Sequence, residues 1–541
     1  MNETLTHLKS FAELPPALWR FAQHTMTLDE AERIVRDRME HREERFLRIV
    51  ERCIYGYPAS PYLPLLEMAG CELGDLQQMV KHKGLEATLR TLREAGVYVT
   101  FEEYKGRQPM VRYGREIAVT PRNFDNPCAR KHHSFQTGGS TGAASNVAAD
   151  VDHIAAGAPY QLLTLDAHGV LDAPTAVWRG ILPDSTLRSM LRRAYIGRLP
   201  EHWFSHVGWR ESQYWLKYGM ATGYVIFWMR LFGMRVPLPQ VVKLDQALVI
   251  ARWIADTLKA HGQCLLHAQV SRAVRVCLAA QEAGLDLRGA TIKGGGEPAT
   301  PAKVQRMERS GVHYISNYAM AEAGSTASGC AKPIDGSDVH LFKDAYALFG
   351  YPHRVDATGT TVPAFNLTTL LPAASKLMLN FQMDDYGIIE ERQCGCGLEK
   401  YGYTTHLRQI RSYAKLTGEG VMLIGTEMVR ILEEVLPAHF GGSHLDYQLL
   451  EQEDELGFTR IYLIISPHVE IEDESRVIKV LLEALGQSSS MADAARALWQ
   501  HAQTIRIKRM EPVWTGRGKL MPLHIDRIPK DPIPVQGETD A

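Results

Sequence analysis

Lys293-Gly-Gly-Gly-Glu-Pro-Ala-Thr-Pro-Ala302 is the stretch on which the fold turns. Thr300 followed by Pro301 marks a helix start, because the hydroxyl accepts from a free backbone N–H and proline at the first helical position has no N–H to lose. The glycines before it read as a strand-to-helix turn, or as bare backbone against which a flat ring can lie. Short apolar runs lie on both sides, at Ala176-Val-Trp178, Leu265–Val270, His313-Tyr-Ile315 and Lys376–Phe381. They alternate with helix-like segments such as Asp245–His261 and Ser271–Ala283. Strands alternating with helices predict an α/β region with mainly parallel sheets between about 115 and 390.

Outward from that region the text changes. Residues 26–54 read as one long helix, with Thr27 and Glu30 as a capping box and an apolar stripe through Ile34, Val35, Phe46, Leu47, Ile49 and Val50. Pro58, Pro61 and Pro64 end it; a second helical stretch follows over Leu76–Ala95, then a strand at Val97–Phe101. Beyond about 410 a shorter α/β pattern appears. It has helices near Thr426–Leu436, Glu474–Leu485 and Met491–His501, strands at Arg460–Ile465 and Ile505–Lys508, and a Gly/Pro-rich tail. The expected organisation is a large domain, 1–409, with a helical N-terminal extension, 1–115, and a small α/β domain, 410–541.

The 541 residues are 45% hydrophobic and 23% charged, which suits buried cores and excludes disordered and fibrous classes. Sixty Lys and Arg against 62 Asp and Glu give a net charge of −2, so there is no basic surplus to draw nucleic acid. The most apolar run, Gly223–Met229, is followed by Arg230 and falls short of the ~20 residues a spanning helix needs. Tyr224–Met234 reads as a core helix. The N-terminus has no basic segment leading into an apolar run, so a cytoplasmic location is expected.

Five segments carry chemistry. Gln136-Thr-Gly-Gly-Ser-Thr-Gly-Ala-Ala-Ser145 is a flexible turn or a phosphate cradle of backbone N–H and hydroxyl groups, without the Walker frame. The Gly-Gly-Glu-Pro of 295–298 is the second. In Ser316-Asn-Tyr-Ala-Met-Ala-Glu322 a tyrosine precedes a carboxylate, suited to stacking on a base and holding a metal ion, or to a plain strand end. Met383-Asp-Asp-Tyr-Gly387 suits a turn or a two-oxygen grip on vicinal hydroxyls. Trp514-Thr-Gly-Arg-Gly-Lys519 places a lysine on a glycine-flanked loop. Trp203, Phe204, Trp209 and Trp215 form an aromatic neighbourhood, more in keeping with core than pocket.

In this order and spacing, over residues 60–525, the segments resemble the adenylate-forming superfamily of acyl- and aryl-CoA synthetases, and more narrowly its phenylacetate–CoA ligase branch. Residues 137–145 sit where that family has T-S-G-T-T-G-x-P-K; 294–298 match G-G-E-P; Tyr318–Glu322 match Y-G-x-T-E; Asp385 matches the aspartate of T-G-D-x-G. Arg411-Ser412, Leu416 and Gly420-Val421 match the hinge pattern, and Lys519 the C-terminal lysine. Ser60-Pro-Tyr62 through Gly70 is similar to the branch's S-P-x-Y segment. This chain departs from the pattern at Gly138, at Ser145 where the loop lysine would stand, and at Ala319 and Ala321.

The resemblance implies that a carboxylic acid, aryl or similar, is joined to AMP from ATP with loss of pyrophosphate, then passed to coenzyme A. Lys519 and Glu322 would be catalytic, Glu322 also holding Mg²⁺. Thr137, Gly138, Gly139, Ser140, Thr141, Gly142, Gly295, Gly296, Glu297, Pro298, Asn317, Tyr318, Asp385 and Arg411 would bind nucleotide. Other readings are transfer to a carrier-protein thiol, an amine or another nitrogen nucleophile, and a non-catalytic scaffold. A homodimer is compatible with each. Of eight cysteines, Cys394 and Cys396 are a tight pair, and Cys330 and His340 lie on one nearby segment. Three sulfurs and an imidazole suit a structural Zn²⁺ with no open position, the alternative being unlinked thiols. His132 and His133 read as surface or pocket residues.

Overall fold

The computed structural model describes residues 14–128, 134–136, 146–148, 151–181, 186–206, 215–320, 322–354, 361–413, 415–418, 421–424, 430–443, 445–454, 458–486, 499, 504–513 and 523–525. The architecture is mixed α/β, with a 13-stranded sheet and a separate four-stranded sheet near the C-terminus. Six neighbouring strands of the large sheet run parallel: Pro239–Val241, His202–Ser205, Thr175–Trp178, Cys264–Gln269, Ala290–Gly295 and His313–Met320. The inner strands present alternate residues to the two faces of the sheet. Ala176, Trp178, Phe204, Leu266 and Ile292 pack into one apolar layer with residues of the helices Ala247–His261, Val270–Glu282 and Pro301–Arg309. Val177 and Trp203 pack on the opposite face with Leu187, Met190 and Leu191 of the helix Thr186–Tyr195. Both faces are covered, as parallel strands require.

The sheet continues antiparallel from His313–Met320 through Gly324–Gly329, Val339–Leu341, Thr405–Ser412, Phe381–Glu391, Thr361–Thr369 and Tyr346–Arg354. Among the described residues no α-helix separates these antiparallel strands after Tyr346, so helix–strand alternation signals only the parallel half. The apolar run Lys376–Phe381 is not a strand except at its end. Lys376 makes a single bridge to Asp125, and the strand begins at Phe381. The buried run instead sits under the N-terminal helices, where Tyr62 donates to the Leu377 carbonyl at 3.2 Å. The side-chain amide of Asn380 donates to Leu89 and Val97 at 2.8 and 3.0 Å.

The N-terminal helices are shorter than periodicity suggests. Residues 26–54 divide into Leu28–Glu40 and Arg42–Val50, with a wide turn at Glu51–Tyr55. Thr27 caps the first, accepting from Glu30 N at 3.2 Å, but the Glu30 side chain turns to His24 instead of completing a box. Gly84, at φ +77°, splits the second stretch into Leu73–Lys83 and Leu85–Glu94. The strand expected at Val97–Phe101 narrows to Val99–Thr100, which pairs with Phe381 and Gln382. The N-terminal block thus shares its core and its sheet with the large domain.

The small sheet runs Ile505–Arg509, Thr459–Ile465, Tyr447–Glu453, Leu523–Ile525. Its apolar layer includes Leu449, Ile461 and Leu463 with Val477 and Leu481 of the helix Glu474–Gly486. The chain leaves the large sheet after Ser412, and Lys415–Gly418 pairs with Val421–Ile424 as a hairpin. The expected helix near 426–436 is described from residue 430 onward, as a wide turn, Ile431–Val435, leading into Leu436–Phe440. The expected helix at 491–501 lies outside the described residues apart from Trp499. Tyr224–Met234 begins inside the helix Trp215–Leu231, which buries Val225, Ile226 and Met229. Among the described residues no helix is long and apolar enough to cross a membrane.

Candidate functional site

The parallel strands Ala290–Gly295 and His313–Met320 place Gly295 beside Asn317. A side chain at Gly295 would put its Cβ 2.5 Å from the Asn317 carbonyl oxygen, and one at Gly294 would lie 2.7 Å from the Tyr314 ring. These two positions therefore require glycine on steric grounds, and Gly296 follows at φ +85°. Bare backbone at a strand end suits a ligand that approaches closely.

Tyr318 and Asp385 meet at this edge, the phenol donating to Asp385 Oδ2 at 2.8 Å across 67 positions of sequence. Tyr318 borders one β-bulge, and Asp385 lies one residue before another. The register shifts between Tyr318 and Ala319 on one strand and between Tyr386 and Ile388 on another. A bulge re-aims side chains away from strict alternation, which is how residues of non-adjacent strands come to face one another. The second bulge contains Gly387, where a Cβ would lie 2.8 Å from the Arg408 carbonyl oxygen. Burial and the Asp385 carboxylate push the Tyr318 hydroxyl well above its ordinary value, so it is a firm donor at neutral pH. Arg411 lies opposite Tyr386 and Ser412 opposite Asp385.

Glu322 is 8% exposed, and Lys105 Nζ donates to its Oε1 at 2.5 Å. Lys105 ends the short helix Phe101–Tyr104, whose own start is a Thr100–Glu103 capping box. Sequence reading misses this partner, since a lysine 217 residues away carries no local sign of the pairing. Arg188 also feels the Glu322 carboxylate. One carboxylate held by cations offers an oxygen of the kind Mg²⁺ takes, the remaining ligands being those a polyphosphate brings.

Glu297 is committed elsewhere. It accepts from Ser271 N at 2.7 Å, Ser271 Oγ at 2.6 Å and Lys303 Nζ at 3.1 Å, at the start of the helix Val270–Glu282. Burial would raise its carboxyl, but Lys303 and the Ser271 donors outweigh that and hold it below the ordinary range. Lys303 Nζ also donates to Thr459 Oγ1 at 3.0 Å, and Thr300 donates to Glu453. Phe458 enters the large domain's core with the Arg275 guanidinium 4.7 Å from its ring centre. The Gly-Gly-Glu-Pro turn is therefore tied to the small sheet. Thr137, Gly138, Gly139, Ser140, Thr141, Gly142 and Lys519 lie outside the described residues, as do His132, His133, Ser145, Trp209 and Ala321. The aromatic neighbourhood is divided, because Trp203 and Phe204 point to opposite faces of the sheet.

Cys330, His340, Cys394 and Cys396 come together, with all candidate ligand atoms within 4.8 Å of one another. His340 Nε2 lies 3.1 Å from Cys396 Sγ and 3.7 Å from Cys394 Sγ. Its Nδ1 faces the Tyr403 carbonyl at 2.6 Å, which fixes the tautomer and leaves Nε2 as the ligand atom. Backbone N–H groups of Lys332, Cys396 and Leu398 point at the sulfurs of Cys330, Cys394 and Cys396 at 3.3–3.4 Å. Hydrogen bonding from Cys330, helped by His340, lowers the Cys396 thiol far below its ordinary value. This donor set fits a tetrahedral zinc ion with four protein ligands.

No family model and no curated protein matches the chain. Solved structures similar to it include an amide bond synthetase, McbA, from Marinactinospora thermotolerans, with 13% identity and a TM-score of 0.29 over 91% of this chain and 98% of that one. A double mutant of o-succinylbenzoate CoA synthetase from Bacillus subtilis has 11% identity and a TM-score of 0.40, over 83% and 79% of the two chains. ATP-bound MatB from Rhodopseudomonas palustris has 13% identity and a TM-score of 0.31, over 75% and 71%.

Proposed function

We propose that this chain activates a carboxylic acid with ATP, forming an acyl-AMP and pyrophosphate, and then passes the acyl group to a thiol, most simply that of coenzyme A. The observation that carries the reading is the Tyr318–Asp385 hydrogen bond beside Gly295. It joins three separate sequence motifs into one edge able to seat a nucleoside, the glycine backbone taking the flat base and Asp385 the ribose hydroxyls.

An acid oxygen attacks the α-phosphorus and pyrophosphate leaves. Such a reaction asks little covalent work of the protein; position and fixed positive charge do most of it. Residues 137–142 would cradle the phosphates and Lys519 would bridge the carboxylate and the α-phosphate. Glu322 would hold Mg²⁺, which supplies charge neutralisation at the phosphates. The chain from Arg411 into the 415–424 hairpin would be the pivot on which the 410–541 domain turns to exchange Lys519 for the thiol. The contacts of Lys303 with Thr459 and of Thr300 with Glu453 would be remade in that turn.

Carboxylate-dependent ATP–pyrophosphate exchange over a panel of acids tests the reading. Exchange that needs an acid, followed by thioester formation with coenzyme A, is the expected result; exchange with no thioester directs the second step to an amine or carrier protein. Lys519→Ala should cut exchange by 100-fold or more, as removal of a group aimed at developing charge does. It should spare thioester formation from supplied acyl-AMP. Equal loss in both half-reactions would remove the role given to Lys519.

A further inference from the structure

On the face of the parallel sheet opposite the helices Ala247–His261 and Val270–Glu282, one row of side chains runs Val177, His267, Lys293, Ile315 across four strands. The next row toward the strand ends is Gln269, Gly295, Asn317. Lys293 is thus one step below Gly295 on the same face of the sheet, two residues back from the strand end.

Lys293 is only 7% exposed, and among the described residues its ammonium has no hydrogen bond or ion pair. The charged groups that act on it there are Arg192 and Arg193, both of its own sign. Arg193 is 1% exposed, and its guanidinium makes only a long 3.5 Å approach to the Arg198 carbonyl among the described residues. The Nε atoms of Arg192 and Arg193, Nδ1 of His267 and Oε1 of Gln269 are buried without partners among the described residues. Burying a cation is expensive unless something compensates it, and three together without a carboxylate is not what a structural network looks like. Burial, reinforced by the like-charged neighbours, pulls Lys293 down to about 7 and His267 well below its ordinary value. The group borders Glu322, since Arg188 of the same helix feels both Arg192 and that carboxylate. A Cβ built on Gly324, two residues beyond Glu322, lies 4.0 Å from Arg192 Nη2.

We propose that Lys293, Arg192 and Arg193 form a seat for a second anionic group, a carboxylate or a phosphate, on the tail of the acid that the site activates. The proposal rests on the adenylation reading and sharpens it: the reacting carboxylate lies toward Glu322 and the strand ends, and the distal anion lies a residue deeper, against Lys293. The seat sets the substrate class by charge and says nothing of whether the acid's body is aryl or aliphatic.

Two measurements on the full chain test this. The first is exchange over matched pairs of acids, succinate against butyrate, terephthalate against benzoate, and 3-phosphopropionate against butyrate. The second is calorimetric titration of the same acids into wild type, Lys293→Met and Arg192→Leu, with melting temperatures recorded for each variant. Acids with the second anion should be favoured about 10- to 100-fold, the worth of one charge-assisted hydrogen bond. Lys293→Met should lose that preference while melting no lower than wild type, because it removes an uncompensated charge. Arg192→Leu decides the matter if Lys293→Met does not fold. The dicarboxylate and phosphonate-like arms distinguish which anion the seat takes. Exchange confined to acids with uncharged tails overturns the inference and leaves adenylation standing. Binding of dianions lost in Lys293→Met, with no exchange for any acid, keeps the seat and overturns adenylation. Absence of both binding and exchange overturns both.

Discussion

Lys293 and Lys303 are ten residues apart, both buried, on either side of one Gly-Gly-Glu-Pro turn, yet they are held in opposite ways. Lys303 donates to Glu297 at 3.1 Å and to Thr459 at 3.0 Å, and Glu297 is further held by both donors of Ser271. Lys293, on the other face of the sheet, has Arg192 and Arg193 for company and no carboxylate among the described residues. A buried pair whose carboxylate accepts three hydrogen bonds fixes the turn to a helix start and to the small sheet. A buried cation without a counterion costs stability, and a protein that keeps such a charge gains something else from it, here an anion seat.

The comparison breaks most sharply at Lys303. Lys303→Met leaves Glu297 buried and unpaired and should cost about 3–5 kcal/mol, measured by urea unfolding. Adding Glu297→Gln should restore most of that loss, whereas a loss as large in the double variant would mean that the pair is not what holds the turn. The Glu297 share also has a pH sign. Its carboxyl is lowered in the folded state, so this stabilisation is present above the ordinary glutamate value and fades as pH falls through the lower folded value.

The cysteine cluster gives the next effect. Elemental analysis should find one zinc per chain, absent in Cys396→Ser. At free zinc a hundredfold above its Kd, stripping the metal should cost about 2.7 kcal/mol. Protein with no stoichiometric zinc and unchanged stability under chelation would return these residues to plain thiols.

Lys293→Met should move the other way and stabilise the ligand-free protein. The pH signature is specific. A lysine near 7 when folded and near 10.5 when unfolded binds fewer protons in the folded state, so stability rises with pH between those values. The slope approaches about 1.4 kcal/mol per pH unit at most. It should vanish in Lys293→Met, and a slope unchanged by that substitution would mean the lysine is already paired. Removing the Lys303 contact to the small sheet should have the least effect. Thr459→Val should cost about 1 kcal/mol, the usual worth of one hydrogen bond, and should alter the docking of the small sheet more than the stability of the large one.

What was legible in the residues was local. Gly294, Gly295 and Pro301 punctuate a strand-to-helix turn because backbone crowding and the missing proline N–H act within a few positions, and the strand ends at Gly295 and the helix begins at Pro301. The alternation of apolar runs with helices marked the strands Thr175–Trp178, Cys264–Gln269 and His313–Met320, since parallel strands need a crossover between them. It misplaced the strand at Lys376–Phe381, because continuous apolar burial looks the same whether a segment pairs in a sheet or lies beneath helices. The break at Gly84 and the wide turn after Val50 escaped for a like reason: an apolar stripe records which side is buried and not whether the backbone is continuous.

The sequence alone determined the chemistry available and the order in which the motifs come. Tertiary structure decided the partnerships: Tyr318 with Asp385, Lys105 with Glu322, Glu297 with Ser271 and Lys303, and Lys293 with cations of its own sign. Residue type fixes what a side chain can donate, accept or ionise. Whether it ends beside a carboxylate or beside two guanidiniums depends on strand register, bulges and helix placement across scores or hundreds of residues, and that non-local geometry separates a structural charge from a binding one.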